Sequence, residues 1–235
     1  LNRYFIEIAN LYNNNKLSNK ILLTGPKGSG KSTLAYHLIN YILSKNENDP
    51  YNLNKNIINT NNRSFLLINN HTHPNFFLVD LLDDKKSIEI SQTREMIKYI
   101  NKSNFNQLPK IILIDNAEYL NNNSSNSLLK VVEEPNDNVF FIIIHDSNRK
   151  LSETLKSRCL LFKLNLTISQ TLSVTNKILH NDVMNLINHD LFSYYFTPGD
   201  YVNLINFSND NNIDLKKYKL EDFLFYLIHQ KFYLK

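Results

Sequence analysis

Ile21-Leu22-Leu23-Thr24-Gly25-Pro26-Lys27-Gly28-Ser29-Gly30-Lys31-Ser32-Thr33 is the stretch whose reading decides the fold. An apolar run of strand length ends in a glycine-rich loop, and the loop ends in Lys-Ser-Thr. Gly25, Gly30, Lys31 and Ser32 keep the spacing G-x-x-x-x-G-K-[ST]. In a loop of that form the backbone folds around phosphate oxygens with its N–H groups pointing inward. The helix that follows adds its positive end. Gly25 to Thr33, with Pro26, Lys27, Gly28 and Ser29 between, is therefore the expected nucleotide cradle. Lys31 is expected to reach the β- and γ-phosphates, and the Ser32 hydroxyl to sit on Mg²⁺. The chain has only 4 glycines, and Gly25, Gly28 and Gly30 are three of them, which favours a backbone role for this loop.

Working outward, Ile21–Thr24 reads as a buried strand and Thr33–Leu43 as a helix. Tyr4, Ile8, Leu11 and Tyr12 fall on one face of an earlier helix. Phe65–Ile68 and Phe76–Asp80 look like strands. Gln92–Asn101 has helical spacing with Ser91 as its N-cap. Ile111–Asp115 is a second buried strand, ending in a carboxylate. Asn123–Glu134 is a helix capped by Ser124 or Ser125 and stopped by Pro135. Val139–Ile144 is a third buried strand. Strands apolar on both faces, alternating with helices, predict an α/β fold with a parallel sheet covered on both sides. Past Phe162 the pattern turns helical, with Ser169–Leu179, Asp182–Ile187, Asp200–Phe207 and Leu220–His229 as helices. We expect a nucleotide-binding domain over residues 1–163 and a small helical domain over 164–235.

Magnesium at a phosphate loop needs an acidic partner. Asp115 stands at the C-terminal end of a buried strand, where open α/β sheets place their ligands. It is expected to hold the Mg²⁺ of the nucleotide directly or through water. The next residue is Asn116, and an amide orients water but is a poor base. Glu118 is the nearest other carboxylate. The residues thus support ATP binding with Mg²⁺ better than hydrolysis. His71 and His73 have no third ligand near them, and His73-Pro74 marks a turn.

Bulk properties bound the reading. The 235 residues carry 26 Lys and Arg against 22 Asp and Glu, a mildly basic balance compatible with nucleic acid or an acidic partner. One cysteine, Cys159, excludes an internal disulfide and a Cys-rich zinc site, and suits a reducing, cytoplasmic setting. No apolar run approaches the length of a membrane span. Leu1 rather than Met leaves room for a preceding segment.

Several motifs in fixed order carry a resemblance over about Tyr4 to Lys163. Lys16-Leu17-Ser18-Asn19-Lys20 precedes the loop strand. His73-Pro74-Asn75 and Ile88-Glu89-Ile90-Ser91-Gln92-Thr93-Arg94 follow it. Asn126-Ser127-Leu128-Leu129-Lys130-Val131-Val132-Glu133-Glu134-Pro135 is similar to an N-A-L-L-K-x-L-E-E-P run, and Thr154-Leu155-Lys156-Ser157-Arg158-Cys159 to a T-x-x-S-R-C motif. The chain resembles the bacterial clamp-loader AAA+ subunits of DNA polymerase III, most closely their delta-prime group. The resemblance implies a P-loop AAA+ domain with a helical lid and a role in DNA replication. It implies an assembly with gamma/tau and delta subunits, acting on a sliding clamp and on primer-template DNA.

The resemblance also implies residue roles. Arg158 would be a trans arginine finger, completing the ATP site of a neighbouring subunit. His145 or Asp146 would stand in the nucleotide-sensing place. Thr197-Pro198-Gly199-Asp200 resembles the lid sequence S-P-G-R, with Asp200 where an arginine would read the γ-phosphate. Asn116 replaces the family's catalytic glutamate. Both departures imply weak or absent hydrolysis in cis, which fits the non-hydrolysing members. The family's zinc-binding cysteines are absent. Relatives continue into a collar domain, so this chain is either a fragment or has a reduced collar. Two other roles use the same residues: a self-sufficient gamma/tau-like ATPase motor, and a passive DNA-binding scaffold in which Lys130 faces phosphates.

Overall fold

The computed structural model describes residues 1–232 apart from 104, 135, 137 and 194. The Pro135 stop expected above lies outside the described residues. The chain forms two compact units. The first is Leu1–Pro26 with Lys31–Leu164, and the second is Lys27–Gly30 with the chain from Asn165 on.

In the first unit, α1 (Asn2–Asn13) leads into β1 (Lys20–Gly25), and α2 (Lys31–Leu43) starts at the loop lysine. Then come α3 (Arg63–Asn69), β2 (Phe76–Val79), α4 (Ile90–Ile100), β3 (Lys110–Ile114) and α5 (Asn122–Glu133). β4 (Val139–Asp146), the short α6 (Glu153–Lys156) and β5 (Leu160–Lys163) complete it. The sheet order is β2-β3-β4-β1-β5, and every pairing is parallel. This is the expected parallel sheet with helices on both faces. The loop strand β1 sits between β4 and β5, so its C-terminal end opens among neighbouring strand ends.

Alternation along each strand divides the core. Ile21, Leu23, Ile111, Leu113, Ile142 and Ile144 pack with α1 and α2. Leu22, Ile112, Ile114, Phe141 and Ile143 pack with Met96 and Ile100 of α4 and Leu128 and Val132 of α5. β3 is buried at all five positions, so its apolar run is continuous, as a doubly covered parallel strand requires. Tyr4 donates its hydroxyl to the Lys163 carbonyl at 2.6 Å, tying α1 to the end of β5.

Several local expectations are corrected. Phe65–Ile68 lies in helix α3, because Asn62 caps it by accepting from the Phe65 amide at 2.5 Å. A four-residue apolar run does not by itself tell strand from helix. α4 begins at Ile90, two residues earlier than Gln92. Glu89 is its N-cap, and Gln92 closes a capping box, in place of Ser91. Asn121, not Ser124 or Ser125, caps α5, accepting from the Ser124 amide at 2.8 Å. β5 and α6 carry too little periodicity to stand out in the sequence.

The second unit is helical among its described residues: α7 (Ile168–Leu179), α8 (Pro198–Asp210) and α9 (Leu220–His229). The helix expected over Asp182–Ile187 is only a 3-10 turn, Val183–Asn185. Val183, Ile187, Leu191, Tyr201, Ile205, Leu215 and Phe223 form this unit's own core. The tip of the glycine loop belongs here. The Gly199 amide donates to the Gly28 carbonyl at 3.1 Å, and a Cβ at Gly28 would overlap Thr197 Oγ1.

Candidate functional site

The loop keeps the conformation its glycines allow. Gly28 and Gly30 have φ of 79° and 87°, the left-handed region that glycine adopts without strain. Lys31 is buried. Its ammonium donates to the carbonyls of Gly25 at 2.8 Å and Pro26 at 2.7 Å, so the charge is held at the mouth of the loop. Ser29 is 1% exposed, and its hydroxyl has no hydrogen-bond partner among the described residues.

Ser32 and Asp115, 83 residues apart in sequence, meet at the strand ends. The Ser32 hydroxyl donates to Asp115 Oδ2 at 2.8 Å. The Asn116 amide N–H donates to Asp115 Oδ1 at 2.8 Å. Burial pushes the Asp115 carboxyl above the usual carboxylate range. The Ser32 and Asn116 hydrogen bonds oppose that rise, the nearby charge of Asp80 adds to it, and Lys31 opposes it. A hydroxyl and a carboxylate are hard oxygen donors, the set Mg²⁺ prefers when phosphates and water complete its shell. Among the described residues no group of three or more His, Cys, Asp or Glu is placed to hold a metal ion without a nucleotide. His73 is buried, where its ring meets the Ser64 hydroxyl at 3.2 Å and accepts from the Asn75 amide, as a packed turn residue would.

One residue at this site escaped the sequence reading. Asp80 follows β2 as Asp115 follows β3, and the register pairs Val79 with Ile114. Its Oδ1 accepts from the Asn116 side-chain amide at 2.7 Å and from the Leu81 N–H at 2.7 Å. Burial, and then the charges of Asp115 and Asp80, raise the pKa of the Tyr36 hydroxyl on α2. The available signal was a second apolar run ending in Asp.

The remaining candidates separate. Glu118 is committed elsewhere, as its Oε2 accepts from the Asp146 amide at 3.0 Å. His145 is buried at the end of β4. Its Nε2 meets the Arg149 carbonyl at 3.0 Å and must donate there, so Nδ1 accepts from the Thr24 hydroxyl at 3.0 Å. Burial holds this ring below the usual histidine pKa, in its neutral form. Arg158 lies exposed after α6. It pairs with Glu133 at 2.7 Å and donates to the Thr154 carbonyl at 2.8 Å. Lys130 is exposed on α5. In the second unit, Asp200 Oδ2 accepts from the Thr197 amide at 2.9 Å and its hydroxyl at 2.8 Å. That carboxylate closes a capping box and sets negative charge at the start of α8. Burial pushes the Cys159 thiol up to about 11, which leaves it unreactive as a thiolate.

Among the described residues no helix is long and apolar enough to cross a membrane. A profile of the family described as "DNA polymerase III, delta subunit" matches residues 2–167. DNA polymerase III subunit delta' of Pseudomonas aeruginosa is 29% identical over 138 residues, which cover 59% of this chain and 40% of that protein. DNA polymerase III subunit gamma of Buchnera aphidicola subsp. Schizaphis graminum is 28% identical over 197 residues, covering 80% of this chain and 47% of that one. The crystal structure of a DNA polymerase III gamma subunit-related protein from Thermotoga maritima overlays with a TM-score of 0.48 at 16% identity, covering 74% of this chain and 52% of that one. The chain spans less than half the length of these two relatives.

Proposed function

The chain belongs to the DNA polymerase III delta subunit family, and from that premise we propose that it is the nucleotide-holding part of a delta-prime-like clamp-loader subunit. In this reading it assembles with gamma/tau- and delta-like subunits and helps place a sliding clamp on primed DNA. The observation that carries the nucleotide reading is the 2.8 Å hydrogen bond between Ser32 and Asp115. It joins the glycine loop to a strand-end carboxylate at the point where Mg-ATP needs oxygen donors.

Each residue then has a task. The backbone from Gly25 to Thr33 receives the phosphates, and Lys31 exchanges its two carbonyl partners for phosphate oxygens. Ser32 and Asp115 hold the nucleotide's Mg²⁺, which neutralises phosphate charge when bound. Asn116 leaves the site without a strong base, and Glu118 is tied to the Asp146 amide, so turnover in cis is slow. Asp200, which the resemblance sets in the place of a γ-phosphate-reading arginine, is a carboxylate committed to the cap of α8. We read the helical unit from Asn165 as the lid, and Arg158 as the arginine offered to a neighbour's ATP. A self-sufficient motor is the weaker reading, for the same two reasons at Asn116 and Glu118.

The test is titration with a fluorescent ATP analogue, with Mg²⁺ or with chelator. Wild-type protein is expected to bind in the presence of Mg²⁺, and Lys31→Ala to bind at least about 10-fold more weakly, since it loses a charge-assisted contact. Equal binding by both proteins, unaffected by chelation, would refute the nucleotide reading.

A further inference from the structure

Lys27 has no task of its own among the roles assigned so far. It stands between Pro26 and Gly28 in the glycine loop. Both neighbours are pinned. The Pro26 carbonyl accepts from the Lys31 ammonium at 2.7 Å. The Gly28 carbonyl accepts from the Gly199 amide at 3.1 Å, and Gly28 holds its φ of 79°. The Lys27 backbone is thereby anchored on either side, while its side chain is exposed. Among the described residues its ammonium makes no ion pair or hydrogen bond.

Lys31 shows which part of the loop the outer phosphates meet. In a loop of this spacing the backbone N–H groups cradle the inner phosphates, and the lysine reaches the β- and γ-phosphates. Here that ammonium rests on the carbonyls of Gly25 and Pro26. The outer phosphates therefore arrive beside the Gly25–Pro26 edge, and Lys27 is the next residue along it. A lysine carries its charge on a flexible four-carbon stem. From one residue beyond that edge, the Lys27 ammonium has the reach to meet the last phosphate.

In the unit that holds the loop tip, other donors for an anion are spent or missing. The chain from Asn165 on contains no arginine. Asp200 is a carboxylate bound to Thr197. The first amides of α8 are also taken. The Gly199 amide goes to the Gly28 carbonyl, that of Asp200 to the Thr197 hydroxyl at 3.2 Å, and that of Tyr201 to the Thr197 carbonyl at 3.2 Å. Pro198 has none. A helix start with its amides paired keeps few donors for a ligand. The cation carried on the loop tip itself is Lys27.

We infer that Lys27 is a second phosphate-binding lysine, whose ammonium contacts the terminal phosphate of a nucleoside triphosphate and sets its preference over a diphosphate. The inference rests on the reading that the loop holds Mg-ATP, and it adds how the chain tells the two nucleotides apart. A diphosphate lacks the group that Lys27 meets, so only the triphosphate gains this charge-assisted contact.

The experiment titrates the protein in Mg²⁺ with ADP and with the non-hydrolysable β,γ-imido analogue of ATP, with melting curves to show that each variant folds. Wild type should bind the analogue more tightly than ADP. Lys27→Ala should bind the analogue about 10-fold more weakly, as the loss of one charge-assisted contact implies, and ADP within about 2-fold of wild type. Lys27→Arg keeps the charge and should bind the analogue within about 3-fold of wild type. Lys45→Ala removes the same charge from an exposed position beyond the far end of α2. That is about 20 Å from the loop at 1.5 Å per residue, past the screening length of physiological salt, so it should change neither affinity. The inference is overturned if Lys27→Ala binds the analogue as wild type does, or loses ADP and analogue equally. It is also overturned if Lys45→Ala reproduces the loss, or if Lys27→Arg binds as weakly as Lys27→Ala. Wild-type protein that binds neither nucleotide would remove the nucleotide reading itself, a result distinct from all of these.

Discussion

Arg158 is held by its own chain, and this restraint has a measurable size. The pair with Glu133 is 2.7 Å long, with side chains 36% and 47% exposed, so it is a surface ion pair. Such pairs contribute about 0.2–1 kcal/mol. If Arg158 must leave Glu133 to reach a neighbour's nucleotide, removing the glutamate charge should raise the released population by roughly 1.4- to 5-fold, taking 1.4 kcal/mol as tenfold. Glu133→Gln keeps the side-chain length, and the Thr154 carbonyl still accepts from the arginine. In the assembly proposed above, reconstituted with gamma/tau- and delta-like subunits, Glu133→Gln should raise DNA-stimulated ATPase activity by that factor when this subunit is limiting. Arg158→Ala should lower it. Raising the salt concentration should shrink the Glu133→Gln advantage, because exposed pairs are screened. If Glu133→Gln lowers activity as Arg158→Ala does, the glutamate positions the arginine and does not restrain it. If neither variant changes activity, Arg158 has no role in trans.

Further outcomes are expected from other residues. Lys110 is 2% exposed and donates to the carbonyls of Tyr99 at 3.2 Å, Ile100 at 3.1 Å and Lys102, closing the end of α4. Lys110→Met should cost about 2–4 kcal/mol by stranding those acceptors, or roughly 4–16 °C in melting temperature for a chain of this size, and a shift under about 2 °C would contradict the capping role. Burial holds His37, His73 and His145 below the usual histidine pKa. The unfolded chain therefore binds more protons below about pH 6.5, and stability present above that value is lost as pH falls through the lowered native values. Melting temperature should drop between pH 7 and pH 5, and His145→Gln should flatten that drop; an unchanged profile in the variant would exclude His145 as a contributor. Gly28→Ala places a side chain at φ 79° and within 3.0 Å of Gly199 Cα. Urea unfolding should show a loss of about 1–3 kcal/mol, and wild-type stability would mean the loop tip relaxes freely.

Much of the site was legible because its parts are local. Gly25 to Thr33 needs only its own spacing, and the Ile111–Asp115 run shows both strand and carboxylate. The helix at Phe65–Ile68 was not legible, since the Asn62 cap outweighs a four-residue apolar run. The roles of Glu118 and Asp200 were not legible either. A carboxylate's partner depends on where a backbone amide 28 residues away comes to rest, as for Glu118 and Asp146, or on whether a cap forms, as at Thr197.

The sequence by itself determined the spacing of the glycine loop, the doubly covered parallel sheet and the family, because each rests on spacing along a short stretch or on ordered motifs. Tertiary structure alone decided that Asp80 stands beside Asn116 and that Glu133 holds Arg158. Strand register sets the first pairing and the meeting of the α5 end with the turn after α6 sets the second, and neither is written in the distance between the residues along the chain.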